Sequence, residues 1–258
     1  MNNARPQKRP GLVPGILSVG LLLALWMAVA LLAGDPRTMP SPLTVAGRIA
    51  GLAASGELWL HAGATLLRVG ASFAIAMAVG MAMGLWMGRS RAADHWLNPL
   101  LVIALNVPAL VVIVLAYIWI GLKEVAAVAA VALNKIPLTT VMLREGARAL
   151  RPDLDGMARA FRMGWWTRLR HVVLPQLAPH VAAAARAGIS LIWKIVLVVE
   201  FLGRSNGVGF KIHLLFSSFD VAGVLAWALS FVAVMLAIDL MILRPWEAGA
   251  NRWRRDEA

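Results

Sequence analysis

The sequence contains no cysteine, only one tyrosine and few charged residues. Without cysteine, the chain forms neither a disulfide scaffold nor a thiolate metal site. Charged residues make up 15% of its 258 positions, whereas about a quarter is usual in soluble domains. Apolar residues make up 60% and occur in long blocks rather than in alternating stripes. This composition argues against a soluble fold and indicates a chain that lies in lipid.

Six apolar blocks are long enough to cross a bilayer, which takes about 20 helical residues. They are residues 12–33, 63–88, 97–120, 124–143, 182–202 and 221–243. The first block also resembles a signal peptide because basic residues precede it, but its apolar run is too long and Gly34-Asp35-Pro36 is a poor cleavage site. Pro108 is expected to kink the third block. The sequence therefore predicts an all-α integral membrane protein of about six transmembrane helices.

The distribution of basic residues predicts the orientation of the chain, because cytoplasmic loops of membrane proteins are enriched in lysine and arginine. With the N-terminus inside, sixteen basic residues are cytoplasmic: Arg5, Lys8, Arg9, Arg89, Arg91, Arg144, Arg148, Arg151, Arg159, Arg162, Arg168, Arg170, Arg244, Arg252, Arg254 and Arg255. Five lie outside: Arg37, Arg48, Lys123, Arg204 and Lys211. Both termini are therefore expected in the cytoplasm. Because the net charge of +12 lies mainly beside the apolar blocks, we expect no nucleic acid partner.

The second block carries small residues at every fourth position, which places them on one helix face. They are Ser72, Ala76, Gly80, Gly84 and Gly88. Small residues let two helix backbones approach closely within a membrane. We interpret this face as a packing surface within one subunit. The alternative is an interface between two copies of the chain.

The longest cytoplasmic loop, residues 144–180, has the pattern of two short amphipathic helices. Pro152 and the acidic residues Asp153 and Asp155 suit a helix start. Leu154, Met157, Ala158 and Phe161 then recur at helical spacing and form one apolar face. Gly164 is expected to end this helix, and Pro175 and Pro179 to close the second. Such a unit could be a lid on the membrane surface or a docking element for a soluble partner.

Two pieces of this loop, Ala158–Gly164 and His171–Pro175, resemble the EAA loop of ABC-importer permeases. The similarity extends over most of the chain from Pro40 onward, and Glu200–Gly203 with Ser205–Phe210 is similar to the outer hairpin of the nitrate/sulfonate/taurine branch. The resemblance implies a type I ABC importer permease fold, in which this loop inserts into a groove on the ATPase subunit. The positions implied to couple the two are Gly156, Met157, Ala158, Arg159, Phe161, Arg162, Gly164, Leu174 and Pro175.

The chain departs from the family pattern at several of these positions. Aligned from Leu174 and Pro175, the family's glutamate falls on Gly156, its two alanines on Met157 and Ala158, and its glycine on Arg162. Gly164 is expected to act as a displaced turn glycine. The coupling role therefore rests on the loop as a whole rather than on single contacts.

Among the charged residues within the apolar blocks, Lys135, Lys194, Glu200 and Asp239 stand out as costly in lipid. Each costs about 2.5–3.5 kcal/mol in lipid and should therefore face protein or water. Lys135, Lys194 and Glu200 are candidates for lining a translocation path, in which the lysines would meet an anion. The alternative is a structural role, in which the lysines snorkel or pair with Glu200 or a neighbouring subunit.

Other chemistry is not indicated by the sequence. The five histidines are scattered without metal-ligand spacing, residues 203–209 lack the spacing of a phosphate loop, and no nucleophile and base are grouped. We therefore expect no catalysis, metal or cofactor on this chain. The resemblance implies ATP and magnesium on a partner ATPase dimer, a second permease copy, an extracytoplasmic solute-binding protein and a location in the bacterial inner membrane.

The solute is expected to be a small oxyanion such as an organic sulfonate, taurine or nitrate, and a vitamin precursor is an alternative within the family. Two other classes also explain six spans: a secondary transporter or channel driven by an ion gradient, and a membrane scaffold without transport. Transport that depends on ATP and on alternation between inward- and outward-facing states would distinguish the importer from both.

Overall fold

The computed structural model describes residues 12–250, and this part of the chain is helical without strands. Its α-helices are α1 (Leu12–Ala33), α2 (Pro42–Ala54), α3 (Glu57–Arg89), α4 (Arg91–Asn106), α5 (Ala109–Ile120), α6 (Glu124–Arg148), α7 (Pro152–Ala160), α8 (Trp165–Arg168), α9 (Leu174–Gly203), α10 (Val208–Ser217), α11 (Val221–Ile238) and α12 (Arg244–Ala250). Short π-helical turns, Leu169–Val173 and Asp239–Leu243, join α8 to α9 and α11 to α12.

Five continuous helical segments within residues 12–250 are long and apolar enough to cross a membrane. They are Pro14–Ala33, Glu57–Arg89, Glu124–Arg148, Trp165–Gly203 and Val221–Trp246. A sixth crossing results if α4 and α5 together form one bent span. The prediction of an all-helical membrane protein with about six spans is confirmed. Arg5, Lys8, Arg9, Arg252, Arg254 and Arg255, which contribute to the predicted orientation, lie outside the described residues.

The third predicted span, residues 97–120, is not one helix. It consists of α4 and α5, whose axes differ by 93°. Pro108 has no backbone N–H and restricts the residue before it to extended conformations, and Val107 has a ψ of 122°. A kink was expected at Pro108, but the chain instead leaves the helix there and starts a new one in another direction.

The helices α3, α6 and α9 form the centre of the bundle, and α5 packs beside α6. Val69, Ile113, Ala130 and Val196, one from each of these four helices, belong to one buried apolar cluster. The outer surfaces of α1, α4 and α5 carry many exposed apolar side chains, as expected for surfaces in contact with lipid or a second subunit.

The glycines of α3 allow its backbone to lie directly against α6. A Cβ added at Gly80 would lie 2.6 Å from Cβ of Thr139, and one at Gly84 would lie 2.9 Å from the backbone nitrogen of Arg144. At Gly88 it would lie 2.6 Å from Cβ of Ala147. The structure therefore places this small-residue face in contact with α6 of the same chain.

Candidate functional site

Residues 152–173, here called the elbow segment, connect α6 to α9 through α7, a tight turn, α8 and a π-helical turn. Pro152 occupies the first turn of α7, and Asp153 and Asp155 follow it within that turn. These carboxylates lie where the positive end of the helix dipole favours negative charge. The elbow segment is thus shorter than the predicted loop 144–180, because α6 extends to Arg148 and α9 begins at Leu174.

The turn at the tip of the elbow segment is made by Arg162, which has a φ of 50°. Its neighbour Met163 donates a backbone hydrogen bond of 2.9 Å to the carbonyl of Ala158 and so caps α7. Glycine is the residue that usually ends a helix in this left-handed conformation. Arg162 therefore stands at the position of the family's glycine and adopts the backbone conformation that a glycine there would provide.

The expectation that Gly164 supplies this turn is wrong. Gly164 has a φ of −60° and a ψ of 156°, which any residue can adopt, and it precedes α8.

The expectation that Pro175 and Pro179 close the second helix is also wrong. Pro175 lies in the first turn of α9 and Pro179 lies within that helix. The π-helical turn before Pro175 joins α8 to α9 without a break in the helical segment.

The aromatic side chains of the elbow segment are largely uncovered. Phe161 is 74% exposed, and Trp165 and Trp166 are 75% and 61% exposed. Of the predicted apolar face, Ala158 is buried while Met157 is 39% exposed. The predicted apolar face is therefore not uniformly buried, and Phe161 and the two tryptophans are here called the exposed aromatic surface of the elbow segment.

The remaining predicted coupling positions divide between the tip and the base of the elbow segment. Arg159 and Arg162 are exposed near the tip, and Gly156 is half-buried on α7 with open space around it. Leu174 and Pro175 lie at the base, in the first turn of α9. The structure therefore places these positions on one compact helical unit.

Side chains attach the elbow segment to two long helices. The Asp155 carboxylate accepts hydrogen bonds from Arg89, at the end of α3, and from Nε of Arg168, in α8, at 3.3 Å. The backbone N–H of Arg151 donates to Oε1 of Gln176 in α9 at 3.0 Å. These contacts fix the elbow segment relative to both α3 and α9.

Asp155 is ionised at neutral pH. Burial alone would raise its pKa, but the hydrogen bond from Arg168 and the charges of Arg89 and Arg168 outweigh burial and lower the pKa below the ordinary aspartate value. A carboxylate whose pKa is lowered by folding stabilises the folded state above its ordinary pKa. The contact is therefore retained through the neutral range and lost only as the pH falls through the lowered pKa.

At the opposite end of α3, a buried polar cluster surrounds Glu200, whose side chain is 0% exposed. Its carboxylate accepts hydrogen bonds from Arg68 at 2.6 Å and from Thr65 Oγ1 at 2.9 Å. The backbone N–H of Gly209 donates a further bond at 2.9 Å. In this structure Glu200 is thus enclosed by protein donors, and its place on a translocation path stays a prediction.

Arg68 is the centre of this cluster and is 5% exposed. Besides Glu200, its guanidinium donates to both carboxylate oxygens of Glu124 in α6, at 2.8 and 2.6 Å, and to Asn206. Glu124 also pairs with Arg204 at 2.5 Å. The sequence analysis did not identify this cluster, although an arginine and a glutamate inside apolar blocks were the signal for a buried pair.

The other membrane charges lie apart from that cluster. Lys135 is half-buried on α6. Lys194 is exposed, with its ammonium 5.7 Å from the Trp193 ring centre, and it does not pair with Glu200. Asp239 accepts a hydrogen bond from Arg244 at 2.9 Å. A path role for Lys135 and Lys194 stays a prediction.

Within residues 12–250, no group of three or more histidine or acidic side chains is placed to hold a metal ion. The polar chemistry of this part of the chain consists of ion pairs and hydrogen bonds that join helices. The arrangement suits mechanical linkage between helices.

Comparison with known proteins gives a consistent family match. Residues 76–244 match the family model described as binding-protein-dependent transport system inner membrane component. The chain is 28% identical over 207 residues to the putative aliphatic sulfonates transport permease protein SsuC of Bacillus subtilis, which covers 80% of this chain and 75% of that protein. It is 26% identical over 245 residues to the taurine transport system permease protein TauC of Escherichia coli, covering 89% of each.

The fold is also found in a solved structure. A chain of the MetNI methionine ABC transporter in inward-facing conformations superimposes with a TM-score of 0.54 and 16% sequence identity. The match covers 73% of this chain and 94% of that one. This likeness establishes the type I ABC importer permease fold for the chain.

Proposed function

The chain belongs to the family of binding-protein-dependent transport system inner membrane components, and on that premise we propose that its elbow segment couples it to a separate ATP-hydrolysing subunit. The chain is the permease subunit of an ABC importer. Two ATPase subunits, a second permease copy and a solute-binding protein complete the proposed assembly. ATP hydrolysis on the partner drives the permease between inward- and outward-facing states.

The observation that carries the proposal is the exposed aromatic surface of the elbow segment. Phe161, Trp165 and Trp166 are at least 61% exposed on a unit that the ion pair of Asp155 with Arg89 joins to α3. Exposed apolar patches on otherwise charged segments are typical of protein contact sites, and aromatic residues are enriched in such interfaces. Arg159 and Arg162 supply charge at the rim of this surface.

The proposed solute is a small organic sulfonate such as taurine. The names of two relatives, an aliphatic sulfonates permease and a taurine permease, support this class. Lys135 on α6 and Lys194 on α9 are cations within two of the three central helices, where they would favour an anionic solute. Calorimetry with the purified solute-binding protein encoded with this chain tests the class, and selective binding of an uncharged vitamin precursor would contradict it.

The coupling proposal is tested by co-purifying the permease with the ATPase subunit encoded with it. Phe161→Ala is expected to reduce retention of the ATPase strongly, because an aromatic anchor at an interface commonly contributes about 2 kcal/mol or more. The matched control is Phe216→Ala on α10, whose side chain is 60% exposed but lies far along the chain from the elbow segment. Equal retention by both variants would contradict the proposal.

Reconstitution into proteoliposomes distinguishes the importer from a secondary transporter. Uptake is expected to require ATP, the ATPase subunit and the loaded binding protein together. Uptake driven by an ion gradient with the permease alone would instead assign the chain to the secondary transporters.

A further inference from the structure

The elbow segment contains two carboxylates, and they make different contacts. Asp153 is 60% exposed and pairs at 2.8 Å with its near neighbour Arg151, which is 56% exposed. Asp155 is 23% exposed and reaches Arg89, which belongs to a different helix and lies 66 positions away in sequence. Asp155 therefore links the elbow segment to α3, whereas the Asp153 pair with Arg151 stays local.

The ion pair of Asp155 with Arg89 ends on α3, a central helix that contacts both α6 and α9. Arg89 lies in the last turn of α3, and Arg68 lies about 30 Å away along the same helix at a rise of about 1.5 Å per residue. Arg68 joins α3 to Glu124 of α6 and Glu200 of α9 in the buried cluster. Between the two arginines, the glycines of α3 lie in direct contact with α6, so α3 and α6 are tightly packed over this length.

The elbow segment otherwise continues without a break into α9, whereas the short non-helical link 149–151 joins it to α6. A push on the elbow segment would then act first on α9. We propose that Asp155 is a positioning residue that, through Arg89, makes movement of the elbow segment reach α3 together with α9. This inference rests on the proposed coupling function.

The test uses the reconstituted importer, with permease, ATPase and binding protein, and the variants Asp155→Asn, Arg89→Gln and both together. Asp153→Asn is the matched control because it removes the same charge two residues away on the same helix. The readouts are ATPase co-purification, stimulation of ATP hydrolysis by taurine-loaded binding protein, and taurine taken up per ATP hydrolysed. Unaltered co-purification shows that the variants fold and assemble, as expected for a partly exposed ion pair.

Asp155→Asn and Arg89→Gln are each expected to lower the stimulation and the uptake per ATP by about fivefold or more, the lower end of usual coupling strengths. The double variant is expected to be no worse than either single variant, because both remove one interaction. Asp153→Asn should behave as the unmodified protein. If Asp155→Asn matches Asp153→Asn, or if it alone loses the ATPase, the inference is overturned while the coupling function stands.

A rescue experiment separates linkage from other effects of the substitutions. The natural chain has no cysteine, so Arg89→Cys with Asp155→Cys introduces a single thiol pair. Taurine uptake per ATP hydrolysed is expected to be low when both thiols are free. It is expected to recover when a short bifunctional thiol reagent joins the two positions. If the joined form stays uncoupled while the unmodified importer works, Asp155 does not act through α3. If the unmodified importer itself shows no stimulation, the proposed function fails instead.

Discussion

Arg162 turns the chain between α7 and α8 with a φ of 50°, a conformation that costs an L-residue about 1–2 kcal/mol. Arg162→Gly is therefore expected to stabilise the elbow segment by about 1 kcal/mol, once the greater freedom of glycine in the unfolded chain is included. Amide hydrogen exchange in residues 152–168 measures this effect, and slower exchange by about fivefold is expected. Arg159→Gly, within α7, should have the opposite effect because glycine weakens a helix interior.

Glu200 and Arg68 form an ion pair from which water is almost excluded, with side chains 0% and 5% exposed. Removing one partner of such a pair leaves an uncompensated charge and typically costs about 3–5 kcal/mol. Glu200→Ala should therefore markedly lower the thermal unfolding temperature of the detergent-solubilised protein. Glu57→Ala, which removes a partly exposed pair with Lys211, should cost less than about 1 kcal/mol. Similar losses in both variants would contradict the assigned role of the cluster.

At single positions, the sequence indicated which environment a residue needs, but not which residues it contacts. Charges in apolar blocks indicated that Glu200 must face protein or water, but not that Arg68, 132 positions away, is its partner. Pairing between helices depends on how they are arranged in space, which spacing along one helix cannot reveal. The left-handed turn at Arg162 could not be predicted either, because arginine rarely adopts that backbone conformation.

Among the helices, the close contact of α3 with α6 depends on the absence of side chains on one face of α3. Gly84→Ala would place a Cβ 2.9 Å from the backbone of α6, and such overpacking costs about 1–3 kcal/mol. Gly63→Ala, on the same helix with nothing within 4 Å, should instead stabilise the protein by about 0.5–1 kcal/mol because alanine favours a helix. Thermal unfolding in detergent measures both, and shifts of the same sign would contradict this packing.

The long apolar helices could be predicted from the sequence because length and hydrophobicity alone decide whether a segment crosses a membrane. The break between α4 and α5 was predicted only as a kink, since Pro108 indicates an interruption but not its 93° angle. The elbow segment was predicted as two short helices, but Pro175 and Pro179 did not end the second. A proline is tolerated in the first turn of a helix, and the preceding π-helical turn adjusts the backbone before Pro175.

For the whole molecule, the distribution of arginine and lysine predicts that the elbow segment is cytoplasmic and that the connection between α1 and α2 is outside. Single cysteines introduced at Thr38 and Phe161, both exposed, test this in intact cells, because the natural chain has none. A membrane-impermeant thiol reagent should label Thr38→Cys in cells whose outer membrane is permeabilised. It should label Phe161→Cys only after the inner membrane is opened, and the reverse pattern would invert the orientation.

The central proposal is that the ATPase subunit acts on the elbow segment, at the end of α3 opposite the buried polar cluster. Site-directed cross-linking in membranes that contain the permease and the ATPase subunit encoded with it tests this most directly. A cysteine at Phe161 should cross-link to the ATPase subunit, whereas one at Phe216 on α10 should not. Absence of the Phe161→Cys product, or equal products from both positions, would contradict the assignment of the elbow segment as the coupling element.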